Sequence, residues 1–125
     1  MPKPFSPFVE SLLDLLQPLG GVSAKRMFGA YGIYKDDLIF GIVAGEKLYL
    51  KTDDENRPAF EDAGMEPFSF TEKNGQVMTM KYHEAPEAIF NSPMRMKPWA
   101  MSAYQAAQRN AAKKKPNKKR HAGPR

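Results

Sequence analysis

The sequence contains no cysteine, only two histidines and no long hydrophobic run. Without cysteine the chain forms no disulfide, has no thiolate nucleophile and offers no zinc site of the cysteine type. No stretch reaches the roughly 18 consecutive apolar residues of a membrane span, and the N-terminus lacks the apolar segment of a signal peptide. These absences predict a cytoplasmic protein without a membrane partner.

The positive charge of the chain is confined to its C-terminal end. Residues 1–112 hold 12 Lys and Arg against 14 Asp and Glu, whereas residues 113–125 hold seven Lys and Arg and no acid. A polar segment with so much charge of one sign has nothing to bury. We therefore predict one domain over residues 1–112, followed by a disordered basic tail over residues 113–125.

Stretches that alternate apolar with polar residues, or that are rich in Ile, Val, Phe and Tyr, predict an antiparallel sheet of about five strands. Three strands are expected between residues 23 and 51, with tight turns at Asp36-Asp37 and Gly45-Glu46. A second hairpin is expected over residues 68–82, with its turn at Asn74-Gly75. The strand from Leu38 to Val43 is apolar on both faces, which predicts a central position covered on both sides.

Helical periodicity adds three helices to this sheet. A first helix is expected from Ser6-Pro7 to Gln17, a second from Thr52 to Gly64, and a last one from Pro98 to Ala112. The predicted fold class is therefore α+β with the element order α-β-β-β-α-β-β-α, in which the helices pack on the antiparallel sheet.

One strand presents a candidate partner surface. Leu48 and Leu50 alternate with Lys47, Tyr49 and Lys51, so that the last three share one face of the sheet. That face is expected to meet water and, through these three residues, a partner.

Gly29 and Gly32 interrupt an aromatic strand. The segment Gly29-Ala30-Tyr31-Gly32 matches neither the dinucleotide fingerprint nor the P-loop, so a structural bend is favoured over a phosphate-binding loop.

The neighbouring residues Arg26, Phe28, Tyr31 and Tyr34 suggest a strand that stacks on nucleic acid. Met27 replaces the glycine of the RNA-recognition signature, so ordinary packing is the favoured interpretation.

Two groups of ionisable residues invite catalytic or metal-binding interpretations. His83 and Glu84 are the candidate acid and base of an enzyme. The favoured interpretation is that His83 is a structural or surface histidine. The acids Asp53, Asp54 and Glu55 suit helix capping better than metal binding. We predict no catalytic residue, no metal and no cofactor.

The basic tail is the candidate nucleic-acid contact. Lysines on a disordered arm meet phosphates without reading sequence, and they also solubilise proteins that bind nothing. The candidate residues are Lys113, Lys114, Lys115, Lys118, Lys119 and Arg120.

Four motifs in order resemble those of one known family. They are residues 26–34, residues 48–54, Phe68-Ser69-Phe70 and Met80-Lys81-Tyr82, and together they are similar to the TfoX/Sxy N-terminal domain family. The resemblance implies a small domain with an antiparallel sheet, similar to secretion-chaperone folds, and a place among regulators of natural DNA competence. Those regulators carry a second, helical domain where this chain has its basic tail.

The leading hypothesis is a non-enzymatic regulatory or adaptor domain. It would bind an unknown protein partner, or a second copy of itself, through the sheet and would contact nucleic acid through the tail. Two alternatives remain open, namely a small nucleic-acid-modifying enzyme that uses His83 and Glu84, and a plain dimerisation module.

Overall fold

A computed structural model describes residues 5–27 and 29–119 of the chain. Within them, six strands form one antiparallel sheet, accompanied by three α-helices and two short 3₁₀ turns. The strands are β1 (Val22–Met27), β2 (Ala30–Lys35), β3 (Leu38–Ala44), β4 (Lys47–Lys51), β5 (Pro67–Thr71) and β6 (Val77–Glu84). The helices are α1 (Pro7–Leu15), α2 (Arg57–Asp62) and α3 (Pro93–Lys119), and the 3₁₀ turns are Gln17–Leu19 and Glu87–Asn91. The predicted α+β class is confirmed.

The strand order in the sheet is β1-β2-β3-β4-β6-β5. The first four strands form a meander, in which each strand pairs with the next along the chain. The chain then leaves the sheet through α2 and returns as the β5–β6 hairpin, whose second strand pairs with β4. As a result β1 and β5 form the two edges of the sheet, and β3 is central, as predicted.

The sheet has one strand more than the sequence predicted. We expected a single strand to run from Ser23 through Gly32 with a bend, but β1 and β2 form a hairpin in which Met27 faces Ala30. Gly29 lies in the turn with a φ of +80°, a conformation that glycine adopts without steric cost. The expected bend is therefore a full reversal of the chain.

Gly32 serves a different purpose from the one predicted. It lies within β2, opposite Lys25 and Ile42, and has no left-handed φ. A Cβ atom at this position would lie 2.9 Å from Cε1 of Tyr34. Gly32 therefore leaves room for the Tyr34 ring on the surface of the sheet.

All three helices pack on the same face of the sheet. Their buried side chains join those of the strands in one core, to which α1 contributes Leu12, α2 contributes Phe60 and α3 contributes Ala103. From the sheet, Leu48 and Leu50 of β4 point into this core. The strand β3 is buried on both faces, as expected: Val43 lies in this core, and Ile42 on the opposite face is 6% exposed, although no helix in the described part of the chain covers that face.

Helix α1 begins at its predicted residue, whereas α3 differs from its predicted range at both ends. The Ser6 hydroxyl caps α1 by accepting a hydrogen bond of 3.3 Å from the Val9 amide, as predicted. In contrast, α3 starts at Pro93 and continues to Lys119. Residues 113–119, expected to lack structure, thus extend the helix; their lysines favour this conformation, whereas Pro116 lacks the amide donor of a helix-interior residue. Residues 120–125 lie outside the described part of the chain.

Within the described residues, no helix combines the length and the apolar composition needed to cross a lipid bilayer.

The β2–β3 turn yields a test of the hairpin geometry. Asp36 and Asp37 have φ angles of 50° and 68°, a left-handed pair that fits the twist of a two-residue hairpin. We expect Asp37→Gly to stabilise the protein by about 0.5 to 1 kcal/mol, because glycine adopts this backbone without a clash at Cβ. Thermal unfolding measures the effect. Asp37→Ala is the control and should give no gain, so a gain of equal size for alanine would contradict the turn assignment.

Candidate functional site

The face of the sheet opposite the helices carries the residues predicted to meet a partner. Along β4, Leu48 and Leu50 are buried under the helices, whereas Lys47, Tyr49 and Lys51 alternate with them and lie on the other side. The structure therefore places all three predicted residues on one surface, and their role in binding a partner stays a prediction.

Strand pairing extends this surface across the sheet, because residues directly opposite each other on neighbouring strands share a face. Tyr49 pairs with Ile42 and Glu84, and Lys51 pairs with Tyr82. We call this surface the open face, and its members are Lys25, Gly32, Tyr34, Ile39, Ile42, Lys47, Tyr49, Lys51, Phe68, Tyr82 and Glu84.

Lysine and aromatic side chains alternate over the open face. Lys25 Nζ lies 5.0 Å from the centroid of the Tyr34 ring, and Lys51 Nζ lies 5.0 Å from that of Tyr82. At these distances each ammonium is attracted by the ring beside it. The surface thus combines flat apolar rings with positive charge.

Tyr82 and Ile42 form the floor of the open face. Their side chains are 5% and 6% exposed, although the core and its helices lie on the other side of the sheet. Burial, and secondarily the nearby Tyr34, raises the pKa of Tyr82 to about 12. The Tyr82 phenol therefore stays uncharged at neutral pH.

The structure does not bring together His83 and Glu84, the candidate acid and base of the alternative enzyme hypothesis. The two residues are neighbours on β6 and therefore point to opposite sides of the sheet. His83 is 5% exposed, with Nδ1 3.0 Å from the Thr52 hydroxyl and its ring against Phe60, whereas Glu84 approaches Lys47 on the open face. They cannot act on the same reacting group.

His83 borders a cleft between α2 and the β5–β6 hairpin. The cleft has a volume of about 530 Å³ and mixes both signs of charge, with Arg57 and Lys81 opposing Glu61 and Glu66. Arg57 is engaged by Asp54 at 3.0 Å and by Glu61 at 3.6 Å. Burial lowers the pKa of His83, so the imidazole is neutral at pH 7.

Asp53 joins the loop after β4 to helix α3. Its carboxylate accepts two hydrogen bonds from Arg109, from Nε at 2.6 Å and from Nη2 at 3.0 Å, and it also accepts the amides of Glu55 and Asn56. The Arg109 guanidinium holds the pKa of Asp53 at about 2. Among the described residues, no cluster of three potential ligands around Asp53 or elsewhere could hold a metal ion. Asp53 is therefore a structural residue, but it closes the turn before α2 and does not cap that helix, whose N-cap is Asn56 without a side-chain hydrogen bond.

The aromatic residues proposed to form one stacking strand are divided between two places. Arg26 Nη1 donates to the Tyr31 hydroxyl at 3.2 Å, and Tyr31 packs edge-on against Phe5 next to α1. Tyr34, three residues later, lies on the open face, and Phe28 is outside the described residues. The sequence did not indicate Lys25, Phe68 or Tyr82 as neighbours of Tyr49 and Lys51, because that grouping depends on how the strands pair across the whole sheet.

The basic residues of the predicted tail follow the end of the folded core. Ala111 and Ala112 lie beside the Asp36-Asp37 turn, and α3 continues beyond them with Lys113 exposed to solvent. Lys114, Lys115, Lys118 and Lys119 belong to the same helix, and Arg120 lies outside the described residues.

The Asp53–Arg109 pair predicts a loss of stability in acid. The pKa of Asp53 lies below its ordinary value of 3.8, so the carboxylate stabilises the fold above about pH 4 and loses that contribution as the pH falls towards 2. Asp53→Asn should therefore cost about 1 to 2 kcal/mol near neutral pH, a figure reduced for solvent screening. Urea unfolding at several pH values measures this, and the difference from the parent should vanish near pH 2.

A neighbouring carboxylate serves as the control for this prediction. Glu55 lies 3.4 Å from Arg109 Nε with its side chain 70% exposed, so Glu55→Gln should change stability little. Equal losses for the two variants would contradict the assignment of the ion pair to Asp53.

Buried His83 predicts a second pH effect, in a different range. Because burial holds its pKa below the ordinary 6.5, the unfolded chain takes up the proton first, and stability falls as the pH drops below 6.5. His83→Gln keeps a hydrogen-bonding group near Thr52 but does not titrate, so it should flatten this part of the stability profile. An unchanged slope below pH 6.5 would show that His83 is not the group responsible.

Comparison with known proteins assigns this sequence to a family. The model of the TfoX N-terminal domain matches residues 14–107, which include all six strands and thus the whole open face. Similar relatives are DNA transformation protein TfoX1 of Aliivibrio fischeri, 27% identical over 84 residues, and DNA transformation protein TfoX of Haemophilus influenzae, 31% identical over 86 residues. Each alignment covers 67% of this chain and 40% of the relative, so the chain spans less than half the length of these curated relatives. Since the family match takes in most of its residues, the chain belongs to the TfoX N-terminal domain family.

Proposed function

We propose that this chain is a non-enzymatic regulatory domain that acts by binding. In this proposal the open face engages the partner, and the basic C-terminal segment contacts nucleic acid without reading its sequence. The names of the two relatives, DNA transformation proteins, support a role in the same kind of process. A cytoplasmic location belongs to the proposal and is consistent with a chain that has no cysteine.

The observation that carries the proposal is the division of the sheet into two unlike faces. One face forms the core with the helices, and the other presents Lys47, Tyr49 and Lys51 among further rings and lysines. Partly exposed aromatic side chains beside cations are typical of surfaces that bind. In contrast, the one acid/base pair suggested by the sequence is split between the two faces, which favours binding over catalysis.

The basic segment adds a second point of contact. Residues 113–125 carry seven positive charges and no acid, and α3 holds Lys113–Lys119 beyond the Asp36-Asp37 turn. Binding that releases counterions from phosphates weakens steeply with salt and is independent of base sequence. The segment could therefore hold the domain near nucleic acid while the open face remains available.

A salt titration tests the role of the basic segment. We expect the full chain to bind duplex DNA, and the triple variant Lys113→Gln, Lys114→Gln and Lys115→Gln to lower the slope of log K against log salt by about 2 to 3, as expected for three lost phosphate contacts. Fluorescence anisotropy at several salt concentrations measures both slopes.

The matched control removes three exposed cations from elsewhere on the chain. Lys73→Gln, Arg95→Gln and Lys97→Gln change the net charge by the same amount but leave the basic segment intact. If the two triple variants lower the slope equally, general charge rather than the C-terminal segment accounts for binding, and this part of the proposal fails.

A further inference from the structure

We propose that the occupant of the open face is single-stranded nucleic acid. Tyr34 and Tyr49 stack on unpaired bases, and Lys25, Lys47 and Lys51 contact the phosphates that connect them. This inference rests on the proposed function, since it names the partner of the face through which the domain is proposed to bind.

The placement of Tyr34 provides a flat platform. Because Gly32 has no Cβ, the Tyr34 ring lies against the sheet at a site where a Cβ would come within 2.9 Å of Cε1. Tyr34 is only partly buried, and the exposed Lys25 places its ammonium 5.0 Å from the ring centroid, so a base that stacks on this ring takes the place of that ammonium. Bases of any sequence can stack on such a ring, since every base has a π-face.

Tyr49 provides a second ring two strands away. Its ring centroid lies 4.6 Å from that of Phe68, at an interplanar angle of 55°, which restrains the side chain while leaving it partly exposed. Strands β2 and β4 flank β3, so the two tyrosines are about 10 Å apart across the sheet at the usual strand spacing. They are also offset along the strands, because Tyr34 pairs with Ile39 and Tyr49 with Ile42. The open face can therefore hold more than one base along its width.

The charges of the open face complement a phosphate backbone. Its members include three lysines and one carboxylate, and that carboxylate, Glu84, is already 4.0 Å from Lys47 Nζ. Lys25 lies over Tyr34, whereas Lys47 and Lys51 lie two residues to either side of Tyr49 on the same face of β4, with the Lys51 ammonium over the Tyr82 ring. Each proposed stacking ring thus has a cation close by, as a nucleotide with its base and phosphate requires. The neutral Tyr82 phenol in the floor adds no repelling charge.

Other occupants fit these observations less well. A duplex keeps its base faces stacked on one another, so it offers phosphates to the lysines but no free base to Tyr34 or Tyr49. The centres of protein interfaces are depleted of lysine. In a twofold dimer through this face, two surfaces that each carry three lysines and one carboxylate would oppose each other, so like charges would predominate on both sides.

The test compares ring removal with ring retention in the full chain. Binding of a labelled oligonucleotide is measured by anisotropy, both as a single strand and annealed to its complement. We expect Tyr34→Leu and Tyr49→Leu each to weaken single-strand binding by at least about five-fold, the loss typical of one stacked base. Tyr34→Phe and Tyr49→Phe keep the ring and should bind as the parent does, and none of the four variants should alter duplex binding.

Charge variants and melting curves complete the design. Lys25→Gln and Lys47→Gln should each lower the salt slope for the single strand by about 0.7. Both lysines are exposed, so these variants test the site even if a leucine variant fails to fold, which thermal unfolding would reveal.

Several results would overturn the inference. One is that the leucine and phenylalanine variants bind the single strand equally well, and another is that the salt slopes of both lysine variants are unchanged. A third is a fall in molecular mass, measured by light scattering, in the leucine variants, which would assign the face to a second copy. Loss of single-strand binding only in the Lys113, Lys114 and Lys115 variant would also overturn it while leaving the basic segment supported. Conversely, ring-dependent single-strand binding without any duplex binding would support the open face and reject the basic segment.

Discussion

The two-residue period of the β-strand is the constraint on which this molecule depends. On β4 it sends Leu48 and Leu50 into the core and Tyr49 to the opposite surface. On β6 it points His83 to the helix side of the sheet and Glu84 to the open face, so these two neighbours in sequence lie in different environments. Because the helices are all on one side, a strand residue points either to the helix side or to the open face, and the register shift between β2 and β3 changes the alternation only there.

The loop after β4 is where the two layers are locked together. Asn56 donates through its amide nitrogen to the carbonyl of Lys51 at 3.0 Å and to the hydroxyl of Ser102 on α3 at 3.1 Å. About two turns further along α3, Arg109 forms its paired hydrogen bonds with Asp53. Asn56 and Asp53 both lie within five residues of Lys51, the last residue of β4. These contacts therefore fix the position of α3, and of the basic segment at its end, relative to β4.

The parts of this fold that depend on local sequence were predictable, and the parts that depend on pairing were not. The turns at Asp36-Asp37 and Gly45-Glu46 and the alternation in β4 follow from residues close together in the chain, and the structure contains them. The reversal at Gly29 was missed because a glycine within an apolar run fits a bend and a turn equally well. The grouping of Tyr49 with Tyr82 required the neighbour of β4 to be known, and an excursion of some 25 residues separates β4 from β6.

The helical extension of α3 past Ala112 was also beyond the sequence argument. Composition predicts that these lysines have nothing to bury, but α3, which is nucleated in the core, continues through them to Lys119. High charge excludes a hydrophobic core without excluding secondary structure.

The positions of β1 and β5 at the borders of the sheet have a consequence for how the protein behaves in a crowded solution. The outer side of an edge strand offers backbone groups to which strands of other molecules can add, and this is a common route to aggregation. In β1, Lys25 and Arg26 place a cation on each face of the strand, so an added strand would have to pass charges on both sides. In β5, Pro67 removes one amide donor at the start of the strand. These residues disfavour the addition of further strands at the edges of the sheet, while its open face stays accessible for binding.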